Sequence, residues 1–88
     1  MSPNAITIKR ALDHHKASAD ILEDMETKSF YEDTNKSFLI ETYEKAISEE
    51  SKAIDIIEAS SFFPEDLKTG LYTTYSTLKE KLKEIKNR

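Results

Sequence analysis

Residues 40–57 read IETYEKAISEESKAIDII, and one stripe runs through them: Ile40, Tyr43, Ile47, Glu50, Ile54 and Ile57. Steps that alternate between three and four residues put these side chains on one side of an α-helix, the pattern of long helices packed side by side. The same count works outward in both directions. Toward the N-terminus it gives Ala5, Ile8, Leu12, His15, Ala19 and Leu22. Toward the C-terminus it gives Leu71, Tyr75, Leu78, Leu82 and Ile85. With one glycine and two prolines in 88 residues, the chain lacks the repeated turn residues of a sheet protein. The fold expected is all-α, a small antiparallel three-helix bundle running up-down-up, with dimerisation through the apolar seam as a second arrangement.

The three helices belong to one domain spanning 1–88, since a chain this short has no room for a second core. Ser2-Pro3 suits a helix start, with serine as N-cap and proline in the first turn. Glu32-Asp33-Thr34-Asn35 supplies short polar side chains for a turn, and Ser29 with Glu32 has the spacing of a capping box. Pro64 starts the last helix, with Phe62 and Leu67 at the positions of a hydrophobic staple. The helices are placed at about 3–31, 35–59 and 64–87. Leu12, Leu22, Ile47, Ile54, Leu78 and Leu82 form the expected core. Gly70 inside the third helix costs about 1 kcal/mol relative to alanine, which close packing against a neighbour or a kink would explain.

Composition narrows function mainly by exclusion. There is no cysteine, which removes disulfides, thiolate metal sites and thiol catalysis. No stretch reaches the roughly 18 apolar residues of a membrane span, and no positive segment precedes a hydrophobic one at the N-terminus. A cytoplasmic protein without membrane insertion is expected. The net charge of −4 is unevenly spread. Between Asp20 and Asp66 fourteen acids face four lysines, whereas Leu67 to Arg88 holds six bases and two acids. Complementarity between the acidic middle and the basic last helix accounts for part of this division.

Neither histidines nor carboxylates read as a reaction centre. His14 and His15 are adjacent, so their rings point about 100° apart on a helix and share an ion poorly. The residues three positions before them, Ala11 and Leu12, do not supply the glutamates of a di-iron bundle. His15 lies on the seam and is expected to be more buried than His14. The pairs Glu23-Asp24, Glu32-Asp33, Glu49-Glu50 and Glu65-Asp66 fall on solvated helix faces, away from any glycine-rich loop that would shape a cleft. Glu50 is the exception, a carboxylate on the seam that is expected to snorkel, to meet His15 or a tyrosine hydroxyl, or to mark a break where a partner docks. No catalytic residue, metal or cofactor is assigned, and the protein is read as a non-enzyme.

The basic end carries Lys79, Lys81, Lys83, Lys86 and Arg88. Glu80 and Glu84 interrupt them, and helical spacing sets Glu80 beside Lys83; nucleic-acid binding through this helix is a subordinate reading, without a helix-turn-helix or stacking platform to support it. The aromatics Phe30, Tyr31, Phe38, Phe62, Phe63 and Tyr72 lie near helix ends, outside the seam. Some of them close the bundle, and a remainder left exposed among acids would mark a protein contact. The expected partner surface combines Glu41, Glu44, Asp55 and Glu58 with Phe62 and Phe63.

Within the second helix, Tyr43-Glu44-Lys45-Ala46-Ile47 resembles the Tyr-x-x-Ala-Ile helix of microtubule-interacting-and-trafficking domains and of tetratricopeptide-like repeats. The resemblance covers residues 40–47, about a tenth of the chain. It implies a helical module that binds a short peptide in a groove between two helices. The function expected first is a non-enzymatic protein-binding protein, a small adaptor, regulator or inhibitor of the kind that phages and mobile elements encode. The peptide-binding module is the alternative.

Overall fold

A computed structural model describes residues 3–31 and 35–88, with the side chains of 28–31 left aside. It shows three α-helices: α1 (Pro3–Tyr31), α2 (Lys36–Glu58) and α3 (Glu65–Lys86). Both α1 and α3 pack on α2 and scarcely meet each other, so α2 is the central member of an up-down-up bundle. The molecule measures 46 × 24 × 17 Å, and its long dimension matches the roughly 44 Å that 29 helical residues of α1 occupy at 1.5 Å each. Among the described residues no helix is long and apolar enough to cross a membrane.

Each described helix end has a local cause. Asn35 stands at the α2 N-cap with extended backbone, and its side chain accepts from the Phe38 N–H at 2.8 Å. That bond satisfies one of the first-turn donors that a helix leaves unpaired. At the other end the Ser60 hydroxyl donates to the Ile56 carbonyl at 2.9 Å, closing α2 without a glycine. Pro64 is the N-cap of α3 rather than its first residue; its carbonyl accepts from the Lys68 N–H at 3.1 Å. Glu65 and Asp66 occupy the first turn of α3 and Lys83 and Lys86 the last, each at the dipole end that favours its charge. Ser2 and the Ser29–Glu32 capping box lie outside the described residues, as do the side chains of Phe30 and Tyr31.

The α3 seam is as expected: Leu71, Leu78 and Ile85 are buried, and Tyr75 and Leu82 half-buried. On α1 the seam is turned by one position. Ala11, Ser18 and Met25 are buried, while Leu12 is 36% exposed and Ala19 is exposed. The inner face of α1 is therefore Ile8, Ala11, His15, Ser18, Leu22 and Met25. Small residues win these places because α1 and α2 run close together. Ala46 and Ala53 on α2 are wholly buried, and Ala53 shares a core cluster with Ala11. The antiparallel register fixed by the His14–Glu49 and His15–Glu50 contacts sets Ser18 opposite Ala46. The Ser18 hydroxyl is buried there without a hydrogen-bond partner, a cost of about 1–3 kcal/mol accepted for that approach.

Where the three helices meet, Ala11, Ala53, Ile54, Ile57, Phe63 and Leu71 form the main core, with Ile8, Leu67 and Tyr75 packed against it. Phe63 enters this core at 6% exposure, whereas Phe62 stacks on it at 5.7 Å between ring centres and stays 37% exposed. Starting α3 after Pro64 sends Phe63 inward in place of Phe62, which corrects the expected staple. Gly70 is likewise not a packing glycine. A Cβ built there would meet nothing within 4 Å and its φ is not positive.

Two matched pairs follow from this core. Ile57→Ala should cost about 2–5 kcal/mol and Phe63→Ala about 3–5 kcal/mol. Leu12→Ala and Phe62→Ala should cost about 1 kcal/mol or less. Urea unfolding reads all four, and an inverted order in either pair would refute the placement of the inner faces. Gly70→Ala should raise stability by about 1 kcal/mol, because α3 gains helix propensity and nothing has to move.

Candidate functional site

Two arrangements of side chains stand out, one between α1 and α2 and one between α2 and α3. The first is a tandem of imidazole–carboxylate contacts. His14 Nδ1 lies 2.9 Å from Glu49 Oε2. His15 Nδ1 lies 2.7 and 3.1 Å from the two oxygens of Glu50. Helical spacing on two antiparallel helices produces this: consecutive histidines on α1 face consecutive glutamates on α2.

The two pairs differ in burial on the carboxylate side. The Glu50 side chain is fully buried and that of Glu49 is 25% exposed, while the two rings are alike at 36% and 34%. His15 is therefore not the more buried histidine. Its carboxylate partner takes the place on the seam instead. The His14 hydrogen bond, and after it Lys52 at 3.1 Å, hold the Glu49 pKa below its ordinary value. A depressed carboxylate contributes stability above its unfolded pKa and loses it as pH falls through the lowered folded one. Each imidazole hydrogen bond goes to a glutamate, and among the described residues no hydroxyl is bonded to either ring. The tandem holds α1 on α2. Among the described residues no group of three or more His, Asp or Glu side chains is placed to hold a metal ion.

The second arrangement is a groove of about 400 Å³ between α2 and the C-terminal half of α3. Ile47 and Leu82, both half-buried, supply its apolar surface, and Lys79, Lys83, Lys86 and Asn87 surround it. Spacings of four and three residues set the lysines in a row along α3. Lys79 Nζ sits 5.2 Å from the centre of the Tyr75 ring, a cation–π contact. Among the described residues Lys83 and Lys86 make no ion pair, and the expected pairing of Glu80 with Lys83 does not form. Every lysine–carboxylate pair among the described residues joins residues of a single helix: Lys9–Asp13, Lys16–Asp20, Lys45–Glu41, Lys52–Glu49 and Lys68–Glu65. The basic helix thus lies beside the acidic one without an ion pair between their described residues. What joins them, besides apolar packing, is a bond from Tyr72 Oη to Glu58 Oε1 at 3.3 Å and one from Lys36 Nζ to the Arg88 carbonyl at 3.1 Å. Partial desolvation, and then the Glu58 carboxylate, push the Tyr72 hydroxyl pKa up.

The residues expected to form a partner surface are dispersed. Glu41, Glu44 and Asp55 are exposed on the outer side of α2, where Glu41 pairs with Lys45 at 3.3 Å. Glu58 is about 26 Å further along the helix than Glu41 at 1.5 Å per residue. Phe63 belongs to the core and Phe62 alone of the two rings reaches solvent. The Tyr43–Ile47 resemblance implies a groove between two helices without placing it; Ile47 and Leu82, expected in the core, and Lys83, expected to pair with Glu80, line it instead. Within the Tyr43–Ile47 stretch, Ala46 is buried against α1 and Ile47 lines the groove. A smaller hollow of about 190 Å³ lies between α1 and α2, lined by Ile21, Asp24, Met25, Phe38, Thr42 and Lys45. Comparison of the chain with protein-family models, curated proteins and solved structures yields no match.

The tandem gives a sharp expectation. His15→Ala strands a fully buried carboxylate and should cost about 3 kcal/mol. His14→Ala leaves Glu49 with solvent and Lys52 and should cost less than about 1 kcal/mol. Replacing both His15 and Glu50 by leucine should recover most of the loss. Equal melting temperatures for the two single variants would show that Glu50 needs no partner.

Proposed function

We propose that this chain is a non-enzymatic cytoplasmic protein that works by binding another protein, receiving a short segment of it in the groove between α2 and α3. The open apolar surface of Ile47 and Leu82 between those helices carries the reading. Ligand sites in helical bundles form between facing helices, and about 400 Å³ lies within the usual range of about 300–1,000 Å³ for such pockets. A peptide seated by a few anchoring side chains is a common mode of helix-groove recognition. This joins the adaptor or regulator expected from composition with the peptide-binding module implied by the Tyr43–Ile47 resemblance. The histidines and buried glutamate support a binding role by their engagement in packing.

Phe62 favours a second contact at the α2–α3 turn. It is large, apolar and 37% exposed, with the carboxylates of Glu58, Glu65 and Asp66 nearby in the sequence. An exposed aromatic among acids suits a basic partner, the ring supplying affinity and the acids the approach.

Bait proteins carrying Leu82→Asp or Phe62→Ala separate the two contacts, once circular dichroism shows both variants helical. Captured from extracts of the producing cells, the partner should be lost with Leu82→Asp and retained with Phe62→Ala. Loss with Phe62→Ala alone moves the site to the turn. A protein retained equally by parent and both variants would refute both surfaces.

A further inference from the structure

We infer that the segment received by the α2–α3 groove is an acidic amphipathic helix of a partner protein, with apolar side chains on Ile47 and Leu82 and carboxylates against Lys79, Lys83 and Lys86. This rests on the groove being the binding site and adds the chemistry of its occupant. The lining holds three lysines and no carboxylate. In a chain of net charge −4 that local excess is conspicuous, and among the described residues Lys83 and Lys86 are left without ion pairs while five other lysines are paired within their own helices. The Glu80 and Glu84 side chains on the same helix are exposed and take no part in the lining.

Geometry favours a helix over an extended strand. Lys79 to Lys86 spans about 10 Å along α3 at 1.5 Å per residue, the same rise that separates carboxylates seven positions apart on a second helix. Such a helix laid along the groove presents apolar residues at three- and four-residue spacing to Ile47 and Leu82, with its acids flanking them. The opposed rows of charge fix its lengthwise position and speed its approach, and the apolar contact supplies most of the affinity.

Other occupants match fewer of these features. A phosphate backbone satisfies the lysines but has nothing to place on Ile47 and Leu82. Nucleic-acid surfaces that bind single strands add exposed aromatic platforms, whereas Tyr75 here is half-buried beneath Lys79. A second copy of this chain would need an acidic helix with an exposed apolar stripe. The outer acids of α2, Glu41 and Glu44, flank no large exposed apolar residue.

The test uses the full chain, isotope-labelled, and three synthetic helical peptides that share one leucine pattern and carry glutamate, glutamine or lysine at the flanking positions. The glutamate peptide should bind, with amide shifts centred on Ile47, Leu82 and residues 79–87. Its affinity should fall about tenfold or more in a Lys79→Gln, Lys83→Gln, Lys86→Gln variant and weaken with added salt. Leu82→Ala should weaken it independently of salt. Equal binding of the glutamine peptide, or stronger binding of the lysine peptide, overturns the acidic occupant and leaves the groove standing as a site. If no peptide binds and the groove residues do not respond, both this inference and the groove reading fail. Saturation of the groove by a second copy in sedimentation measurements, or by a short DNA duplex whose binding ignores Leu82→Ala, also overturns the proposal.

Discussion

The fully buried carboxylate of Glu50 constrains the bundle more than any apolar contact does. A buried carboxyl group needs a hydrogen-bond partner in a particular place, whereas leucine against isoleucine tolerates a shift. His15 meets both Glu50 oxygens, and that fixes α1 against α2 to within a fraction of a turn. Sliding α1 by one turn would leave Glu50 facing Ala11, which has no donor, or Ser18, whose single short hydroxyl replaces an imidazole that reaches both oxygens. The remaining α1–α2 layers follow from this register. Small residues, Ala11 with Ala53 and Ser18 opposite Ala46, lie to either side of the histidine–glutamate layer, so the bulk of imidazole and carboxylate fills what the alanines leave. The orphaned Ser18 hydroxyl is a by-product of the same tight spacing.

That spacing explains why one seam was read correctly and another was not. On α3 the buried residues, Leu71, Leu78 and Ile85, are also among the most apolar, so hydrophobicity and position coincide. On α1 they diverge. Two heptad stripes share Ile8, His15 and Leu22; one adds Ala5, Leu12 and Ala19, the other Ala11, Ser18 and Met25. Hydropathy prefers leucine, whereas close approach requires alanine and serine, and the approach depends on Ala46 and Ala53 of another helix. Position α2 between two neighbours and it needs two inner stripes; a single stripe through Ile40 and Ile57 averages them. Helix limits were easier, because Asn35, Ser60 and Pro64 act on backbone groups within four residues of themselves.

The groove shows the same division between local and non-local information. Its lysines follow helical spacing and its apolar residues were recognisable as such, but a hollow is a property of the distance between two helices. The mistaken ion pair on α3 has a thermodynamic cause. Contacts between residues three or four apart are worth only about 0.2–0.5 kcal/mol, so five of them form among the described residues while the Glu80–Lys83 contact does not. Spacing permits such pairs without requiring them. Glu80 and Glu84 leave their lysine neighbours unclaimed, and the electrostatic character of this end of α3 follows from bonds that do not form.

The two interfaces of α2 thus differ in kind. Toward α1 the contact is directional and polar at its centre, with two imidazole–carboxylate pairs and small residues that admit little adjustment. Toward α3 it is chiefly apolar, with a hydroxyl and an ammonium bond near its two ends and no ion pair between them among the described residues. Apart from those two bonds the contact is non-directional apolar packing, and among the described residues no fully buried charge lies in it. The groove proposed as a binding site lies at this second interface, apart from the layer that carries Glu50.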